Sequence, residues 1–139
     1  MMDEENVELL TQALARDPRF TAAILFGSVA KGTARPSSDI DIAVLYVNAT
    51  ARASAEADVI ELLGQLGIIA RRDVHLVDLE HADSALRRSI FATGRVLFNR
   101  GGSALRDLHV ATLLEYFDWA YARQVIDEGH RRKLGIARG

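Results

Sequence analysis

Two aspartates one residue apart, Asp39 and Asp41, are the strongest chemical signal in the sequence. They open the stretch DIDIAVLYV, whose Ile and Val content is typical of a buried β-strand. Because strand side chains alternate between faces, both carboxylates lie on one face, about 6–7 Å apart along the strand, and Ile40 and Ile42 point into the core. Each charge raises the pKa of the other carboxyl unless a cation neutralises it. The pair predicts a Mg²⁺ site at Asp39 and Asp41; the alternative is a strand end in water, with both acids solvated.

A glycine-rich turn, GSVAKG at residues 27–32, precedes the aspartates. It follows the apolar run FTAAILF, which predicts a buried strand. Gly27 allows a phosphate to approach the backbone closely, and a helical turn that starts at Ser28 offers free N–H groups to an anion. The Ser28 hydroxyl adds a donor, and Lys31 adds a positive charge. Gly27, Ser28 and Lys31 are therefore candidate nucleotide-binding residues, although a strand-ending Gly-Ser can also be a simple turn.

The two features together predict more than either does alone. The turn offers donors to a phosphate, and the following strand offers ligands to a metal ion. A phosphate and divalent metal ions in one cleft are the parts of a phosphoryl- or nucleotidyl-transfer site, where catalysis rests on positioning and charge neutralisation.

Helices and strands that alternate along the chain must position these groups. The periodicity predicts helices at residues 3–16, 54–66, 82–93 and 103–134, and strands at residues 20–27, 39–47, 73–79 and 95–98. Gly67 is the expected stop of the second helix. The alternation predicts an α/β (α+β) layered fold in a single domain over residues 1–139, with 103–134 as a long C-terminal helix and 135–139 as a flexible tail.

The long C-terminal helix carries an aromatic group that spans nearly one helical turn. Its members are Tyr116, Phe117, Trp119 and Tyr121. We expect core packing for most of them, and a partner surface for the rest, because Tyr and Trp anchor protein interfaces.

The composition narrows the class of protein. The chain has 139 residues, of which 49% are hydrophobic and 26% charged, as is typical of a globular protein. It has no cysteine, which excludes disulfides and fits a cytoplasmic location. The formal net charge of −2 argues against general nucleic-acid binding, and the apolar runs are too short for a membrane span.

The sequence contains a Gly-Ser pair that is followed, after ten residues, by DID. This spacing resembles the signature of the DNA polymerase β-type nucleotidyltransferase superfamily. The short chain and the run from GSVAKGT through SSDIDIAVL resemble its minimal nucleotidyltransferases (MNT), the antitoxin halves of HEPN–MNT toxin–antitoxin pairs. The resemblance implies a polymerase β-like fold with a small mixed sheet. It also implies ATP as substrate, Mg²⁺ as cofactor and a cognate HEPN toxin as partner.

The family also implies a third carboxylate on the neighbouring strand, where this sequence departs from the pattern. The usual acid falls at position 75, which is His75 here. Asp73, two residues earlier, lies on the same strand face and can supply the carboxylate if the backbone shifts. His75 can instead bind the metal or act as a base, although imidazole is a poor Mg²⁺ ligand. In a third interpretation the site is weakened and turnover is slow.

The leading hypothesis from the sequence is an antitoxin that transfers AMP from ATP to a toxin hydroxyl, by family analogy a tyrosine. Asp39, Asp41 and Asp73 are its catalytic candidates. The second hypothesis is a binding module that neutralises its toxin by docking alone. The third is nucleotidyl transfer to a small molecule, although the relatives that do this usually carry an added substrate domain.

Overall fold

A computed structural model describes residues 4–32 and 38–133. The described helices are α1 (Glu4–Arg16), α2 (Gly27–Ala30), α3 (Ala49–Ala57), α4 (Val59–Ala70), α5 (Ser84–Thr93) and α6 (Ala104–Lys133). The described strands are β1 (Phe20–Phe26), β2 (Ile40–Tyr46), β3 (Val74–Asp78) and β4 (Arg95–Asn99). The predicted flexible tail, residues 135–139, lies outside the described residues, and the assignment of the whole chain to one domain stays a prediction.

The described strands form a mixed sheet in the order β3-β2-β1-β4. Strand β1 is antiparallel to both β2 and β4, whereas β2 and β3 are parallel. A parallel pair requires a crossover connection, which α3 and α4 supply between β2 and β3. Both strands of this pair therefore begin at the same end of the sheet, and residues just before and within their starts become neighbours. This mixed sheet with its long C-terminal helix confirms the predicted fold class.

Helices cover both faces of the sheet. Residues of α1 and α4 pack on one face, in a cluster that includes Leu10, Leu14, Phe20, Val44 and Leu66. Residues of α5 and α6 pack on the other face, in a cluster that includes Ile24, Leu45, Leu79, Ile90 and Leu105. Ile40 and Ile42 are fully buried in the first cluster, as predicted, and each such burial stabilises the fold by about 1.5–3 kcal/mol. The opposite face of β2 is the one that carries Asp41.

The helix predicted over residues 54–66 is instead divided between two helices. The first, α3, begins earlier, at residue 49. Its N-cap is Asn48, whose side chain accepts a hydrogen bond from the Ala51 N–H at 2.8 Å. Asparagine is among the best N-caps because its side chain satisfies a free N–H of the first turn, so this residue was the missed signal.

The prediction that Gly67 ends the second helix was wrong. Helix α4 continues through Gly67 because Leu62, Leu66 and Ala70 form one buried stripe. Their burial outweighs the cost of about 1 kcal/mol for a glycine inside a helix. The helix ends at Arg71, which adopts the left-handed conformation with φ 57°.

The long helix α6 packs on the domain through its first half. Leu105 and Thr112 are buried, and Arg87 of α5 holds the middle of the helix. Arg87 Nε donates to Thr112 Oγ1 at 2.8 Å, and Arg87 Nη2 donates to both carboxylate oxygens of Glu115 at 3.0 and 2.8 Å. The second half of α6 then extends past α5.

The expectation that most of the aromatic group lies in the core was wrong. Tyr116, Phe117, Trp119 and Tyr121 are 40% to 70% exposed. Tyr116 and Trp119 border α5, where Arg88 lies over the Tyr116 ring. Phe117 and Tyr121 lie on the side of α6 that faces away from the domain, so packing, rather than residue type, decides the exposure of these side chains. Within the described ranges, no helix is both long enough and apolar enough to cross a membrane.

Candidate active site

The glycine turn closes directly onto the aspartate strand. Gly27 follows β1 with φ 76°, a conformation that disfavours other residues. A Cβ built on Gly27 would lie only 2.6 Å from Asp41 Oδ2, so a side chain at this position would also displace the carboxylate. Both the backbone conformation and the lack of space therefore require glycine here.

The short helix α2 continues from this glycine. Its turn is closed by a hydrogen bond from the Lys31 N–H to the Gly27 carbonyl at 3.2 Å, and the Lys31 side chain is exposed. The helical turn expected after β1 is thus present. The side chain of Ser28 lies outside the described part of the structure, so its predicted role stays a prediction.

Strand pairing places Asp41 between its two neighbouring strands. It lies opposite Phe26 of β1 on one side and opposite His75 of β3 on the other. Asp39 immediately precedes β2 and shares a strand face with Asp41. Asp41 is partly buried, whereas the Asp39 side chain is half exposed. The two carboxylates are therefore neighbours, as predicted, at the start of β2.

The pKa of the Asp41 carboxyl is raised above its ordinary value. The main cause is burial, which disfavours the charged form. The charge of His75, if protonated, acts in the opposite direction, and the negative charge of Asp39 raises the pKa further. A bound cation would oppose both causes of the increase. Among the side chains that the structure describes, no arginine or lysine forms an ion pair with either aspartate.

His75 lies against Asp39. Its Nε2 is 3.0 Å from Asp39 Oδ2, a hydrogen bond in which the imidazole N–H donates when Nε2 carries the proton. Asp73 lies just before β3, and its carbonyl accepts a hydrogen bond from the Ile40 N–H at 2.8 Å. The structure thus brings Asp39, Asp73 and His75 together around one groove.

The groove has a volume of about 800 Å³ and runs along the β3 edge of the sheet. Its other walls come from α4 and the residues that follow it: Leu63, Gly64, Gly67, Ile68, Arg71, Arg72 and Val74. The Nη1 atom of Arg72 is buried and has no hydrogen-bond partner among the described residues. A buried, unpaired guanidinium nitrogen is costly to the fold, and Arg72 adds a positive charge to the wall of the groove. The sequence reasoning missed Arg72, for which the signal is the pair of arginines directly before Asp73.

The donors at the start of β2 fit a hard divalent cation. Two carboxylates on one strand face supply the oxygen ligands that Mg²⁺ prefers. A cation would favour the charged form of Asp41, which burial and the charge of Asp39 disfavour. Among the described residues, no three Asp, Glu or His side chains form a preassembled metal cluster. Two protein carboxylates suit Mg²⁺, which usually keeps water and substrate phosphate ligands as well.

Asp78, at the far end of β3, has a different environment. Its Oδ2 accepts a hydrogen bond from Arg52 Nε at 2.6 Å and lies 3.0 Å from His81 Nδ1. Its Oδ1 accepts one from the Glu80 N–H at 3.2 Å. These contacts neutralise Asp78 within the fold, as is typical of a structural carboxylate.

Comparison with protein families identifies the class of protein. Residues 8–102 match the family of polymerase beta nucleotidyltransferases, and the chain belongs to this family. The protein adenylyltransferase MntA of Shewanella oneidensis is 36% identical over 87 residues, a match that covers 61% of this chain and 60% of that protein. The chain thus matches somewhat less than two thirds of that relative.

Several solved structures that are similar to this chain are toxin–antitoxin complexes. A chain of a toxin–antitoxin complex with AMP-PNP has a TM-score of 0.65 and 31% identity, over 88% of this chain and 96% of that one. A chain of the complex of tri-AMPylated Shewanella oneidensis HEPN toxin with MNT antitoxin has a TM-score of 0.58 and 27% identity, over 88% and 97%. The resemblance to minimal nucleotidyltransferase antitoxins is therefore confirmed.

Proposed function

We propose that this protein is an antitoxin that transfers AMP from ATP to a hydroxyl group of a cognate HEPN toxin, with tyrosine as the acceptor by family analogy. Its family supports nucleotidyl transfer, and one relative is described as a protein adenylyltransferase. Similar structures contain AMP-PNP or an AMPylated HEPN toxin, which supports both the nucleotide and the partner. A reaction that consumes ATP also supports a cytoplasmic location.

One observation supports this function more than any other. The Gly27 turn packs on the Asp41 carboxylate, so the proposed phosphate donors and metal ligands lie side by side. Because Gly27 has no side chain, the backbone can come close to both a phosphate and Asp41. The turn, through Gly27, Ser28 and Lys31, is proposed to hold the β- and γ-phosphates.

The two aspartates are proposed to hold Mg²⁺. When bound, the ion neutralises charge on the phosphates and activates the attacking oxygen. The acceptor oxygen bonds to the α-phosphorus, the bond between that phosphorus and pyrophosphate breaks, and the hydroxyl gives up its proton. We assign Asp73, which is exposed beside Asp39 in the groove, as the third carboxylate and the acceptor of that proton.

His75 is proposed as a positioning residue for Asp39. A neutral imidazole that donates from Nε2 would fix the orientation of the carboxylate, as partners of metal ligands commonly do. His75→Ala should lower transfer about 10- to 100-fold, the usual cost of losing such a partner. His75→Gln retains an N–H donor and should recover much of the loss. Equal loss in both variants would contradict a positioning role.

The experiment that tests the function is intact-protein mass spectrometry. The protein is incubated with ATP, Mg²⁺ and the purified HEPN protein encoded next to it, and the toxin mass is recorded. We expect the toxin to gain the mass of one or more AMP groups, and to gain none with the D39A/D41A variant. An unmodified toxin in a stable complex with the wild-type protein would contradict AMP transfer to this partner.

The alternative function is toxin neutralisation by docking alone. The residue at the position of the usual third carboxylate favours this alternative. That residue is His75, which is not an acid, and its Nε2 is within hydrogen-bond distance of Asp39. Cell growth distinguishes the two functions. If D39A/D41A still binds the toxin but no longer protects cells, the enzyme is required, whereas full protection by this variant supports docking.

A further inference from the structure

A continuous apolar stripe lies on the outward face of α6. Its exposed fractions run from 38% for Leu113 to 70% for Tyr121. Its members are Val110, Leu113, Leu114, Phe117, Tyr121 and Val125. Exposed apolar surface that is continuous over this length marks an interaction site more often than scattered apolar residues do.

The spacing of the stripe is that of a helix-packing seam. Val110 and Phe117 are seven residues apart, as are Leu114 and Tyr121, so the seam follows a heptad-like repeat. The stripe lies on the side of α6 opposite to Leu105 and Thr112, which face the domain. The fold itself therefore leaves the stripe uncovered, and a second helix with a similar stripe would fit it.

We infer that α6 packs antiparallel against α6 of a second copy of this chain, about a two-fold axis at Phe117. In this arrangement Phe117 meets its own copy. Leu113 and Tyr121 each lie four residues from Phe117, so Leu113 of one copy faces Tyr121 of the other across the axis. An isologous contact of this kind uses the same patch twice and closes on itself.

The charges at the two ends of the stripe support this pairing. Arg106 lies eleven residues before Phe117 and Glu128 eleven residues after it, close to the outward face. The two-fold axis therefore sets Arg106 of each copy opposite Glu128 of the other. Because the contact is symmetric, the attraction between opposite charges occurs twice.

The exposed area is close to what a specific contact requires. The six side chains of the stripe offer on the order of 600 Å² per copy, compared with about 800 Å² per partner in a standard interface. The charged and polar residues at its ends supply a polar rim of the usual kind.

The position of the stripe leaves the candidate active site open in the dimer. Arg87 joins Glu115 of α6 to the carbonyls of Glu80 and Ala82, which follow β3. The second half of α6 therefore extends from the end of β3 that is opposite to His75. The dimer does not depend on the proposed function, because it uses none of the site residues.

Sedimentation equilibrium of the protein alone tests this inference through a charge swap. We expect a monomer–dimer equilibrium for the wild-type chain, and a dissociation constant about tenfold higher for R106E or for E128R, because each change places two like-charge pairs in the dimer. The double variant R106E/E128R restores both attractions and should return close to the wild-type value. Phe117→Asp places two carboxylates at the axis and should give a monomer.

The matched control is Arg123→Glu, which changes the charge by the same amount on another side of α6. It should leave the dissociation constant unchanged, and circular dichroism of each variant checks that the helix is intact. A wild-type chain that stays monomeric at every concentration would overturn the inference. So would a double variant weaker than both single variants, or stripe variants that weaken toxin binding while the chain alone is monomeric.

Discussion

The parallel strands β2 and β3 present aspartates at both ends, and the protein treats the two ends differently. At the far end Asp78 accepts a hydrogen bond from Arg52 Nε at 2.6 Å, and both side chains are mostly buried. At the near end Asp39 and Asp41 lie together, and the described residues place no arginine or lysine within ion-pair distance of either. The charge of Asp78 is neutralised by the fold, whereas that of the pair is available to the proposed Mg²⁺ ion.

The difference teaches how to separate structural from functional carboxylates. A carboxylate that is paired with an arginine stabilises the fold, since its desolvation is repaid by a charged hydrogen bond. A partly buried carboxylate next to another one destabilises the fold, and burial together with Asp39 raises the pKa of Asp41. Such an unfavourable arrangement is typical of a functional site.

The largest effect, on AMP transfer, should come from removing the negative charges of Asp39 and Asp41. D39N/D41N removes the proposed metal ligands with little change in shape, and we expect AMP transfer to fall on the order of 10³-fold, the scale for losing a group that acts in the transition state. Transfer is measured as the rate of AMP gain on the toxin. The matched control is D78N, which changes an acid at the other end and should transfer AMP within about twofold of wild type once corrected for the folded fraction.

The next largest effect should be a loss of stability when the structural Arg87 is removed. Arg87→Ala removes a buried guanidinium that joins α5 to α6, and we expect the free energy of unfolding to fall by about 2–4 kcal/mol. Its neighbour Arg88 stacks over the Tyr116 ring at 4.1 Å, so Arg88→Ala should cost only about 0.5–1 kcal/mol. Urea unfolding measures both values. Similar losses in the two variants would show that Arg87 is not what holds the helix.

A smaller loss of stability is expected at the far end of β3. Asp78→Asn removes the charge that pairs with Arg52, and we expect the free energy of unfolding to fall by about 1–2 kcal/mol. The measurement is again urea unfolding, at pH 7. If D78N were as stable as the wild-type protein, the contrast between the two ends of the strand pair would be lost.

The smallest predicted effect is a gain of stability rather than a loss. Because the pKa of Asp41 is raised in the folded state, the folded protein binds this proton more tightly than the unfolded chain does. Stability due to this group therefore falls as pH rises from the unfolded pKa through the folded pKa, and the full cost is present at pH 7. Asp41→Asn removes the cost and should raise the thermal midpoint at pH 7, with little difference at a pH below both pKa values. A lower midpoint for D41N at pH 7 would contradict the sign.

The local sequence pattern was enough to predict that Asp39 and Asp41 share a strand face, but not which residues surround them. Strand alternation alone put Asp39 and Asp41 on one face, and glycine followed by Ser28 predicted the turn. The contact of His75 with Asp39 depends on the register of β2 and β3, which join residues 36 positions apart in the chain. The position of Arg72 in the wall of the same groove as Asp39 also depends on long-range packing, because the two residues are 33 positions apart in the chain. The exposure of Phe117 depends on which side of α6 packs on the domain, and the local pattern does not reveal this because both sides of the helix carry apolar residues.

The most direct test of the account is where a divalent cation binds along the β2–β3 pair. Mn²⁺ replaces Mg²⁺ at oxygen sites and broadens nearby NMR signals, so substoichiometric Mn²⁺ is added to the ¹⁵N-labelled protein and to D39N/D41N. We expect broadening of the amide signals of Gly27, Asp41 and His75 in the wild-type protein, and none of these in the variant. Broadening centred on Asp78, or equal broadening in both proteins, would contradict the account.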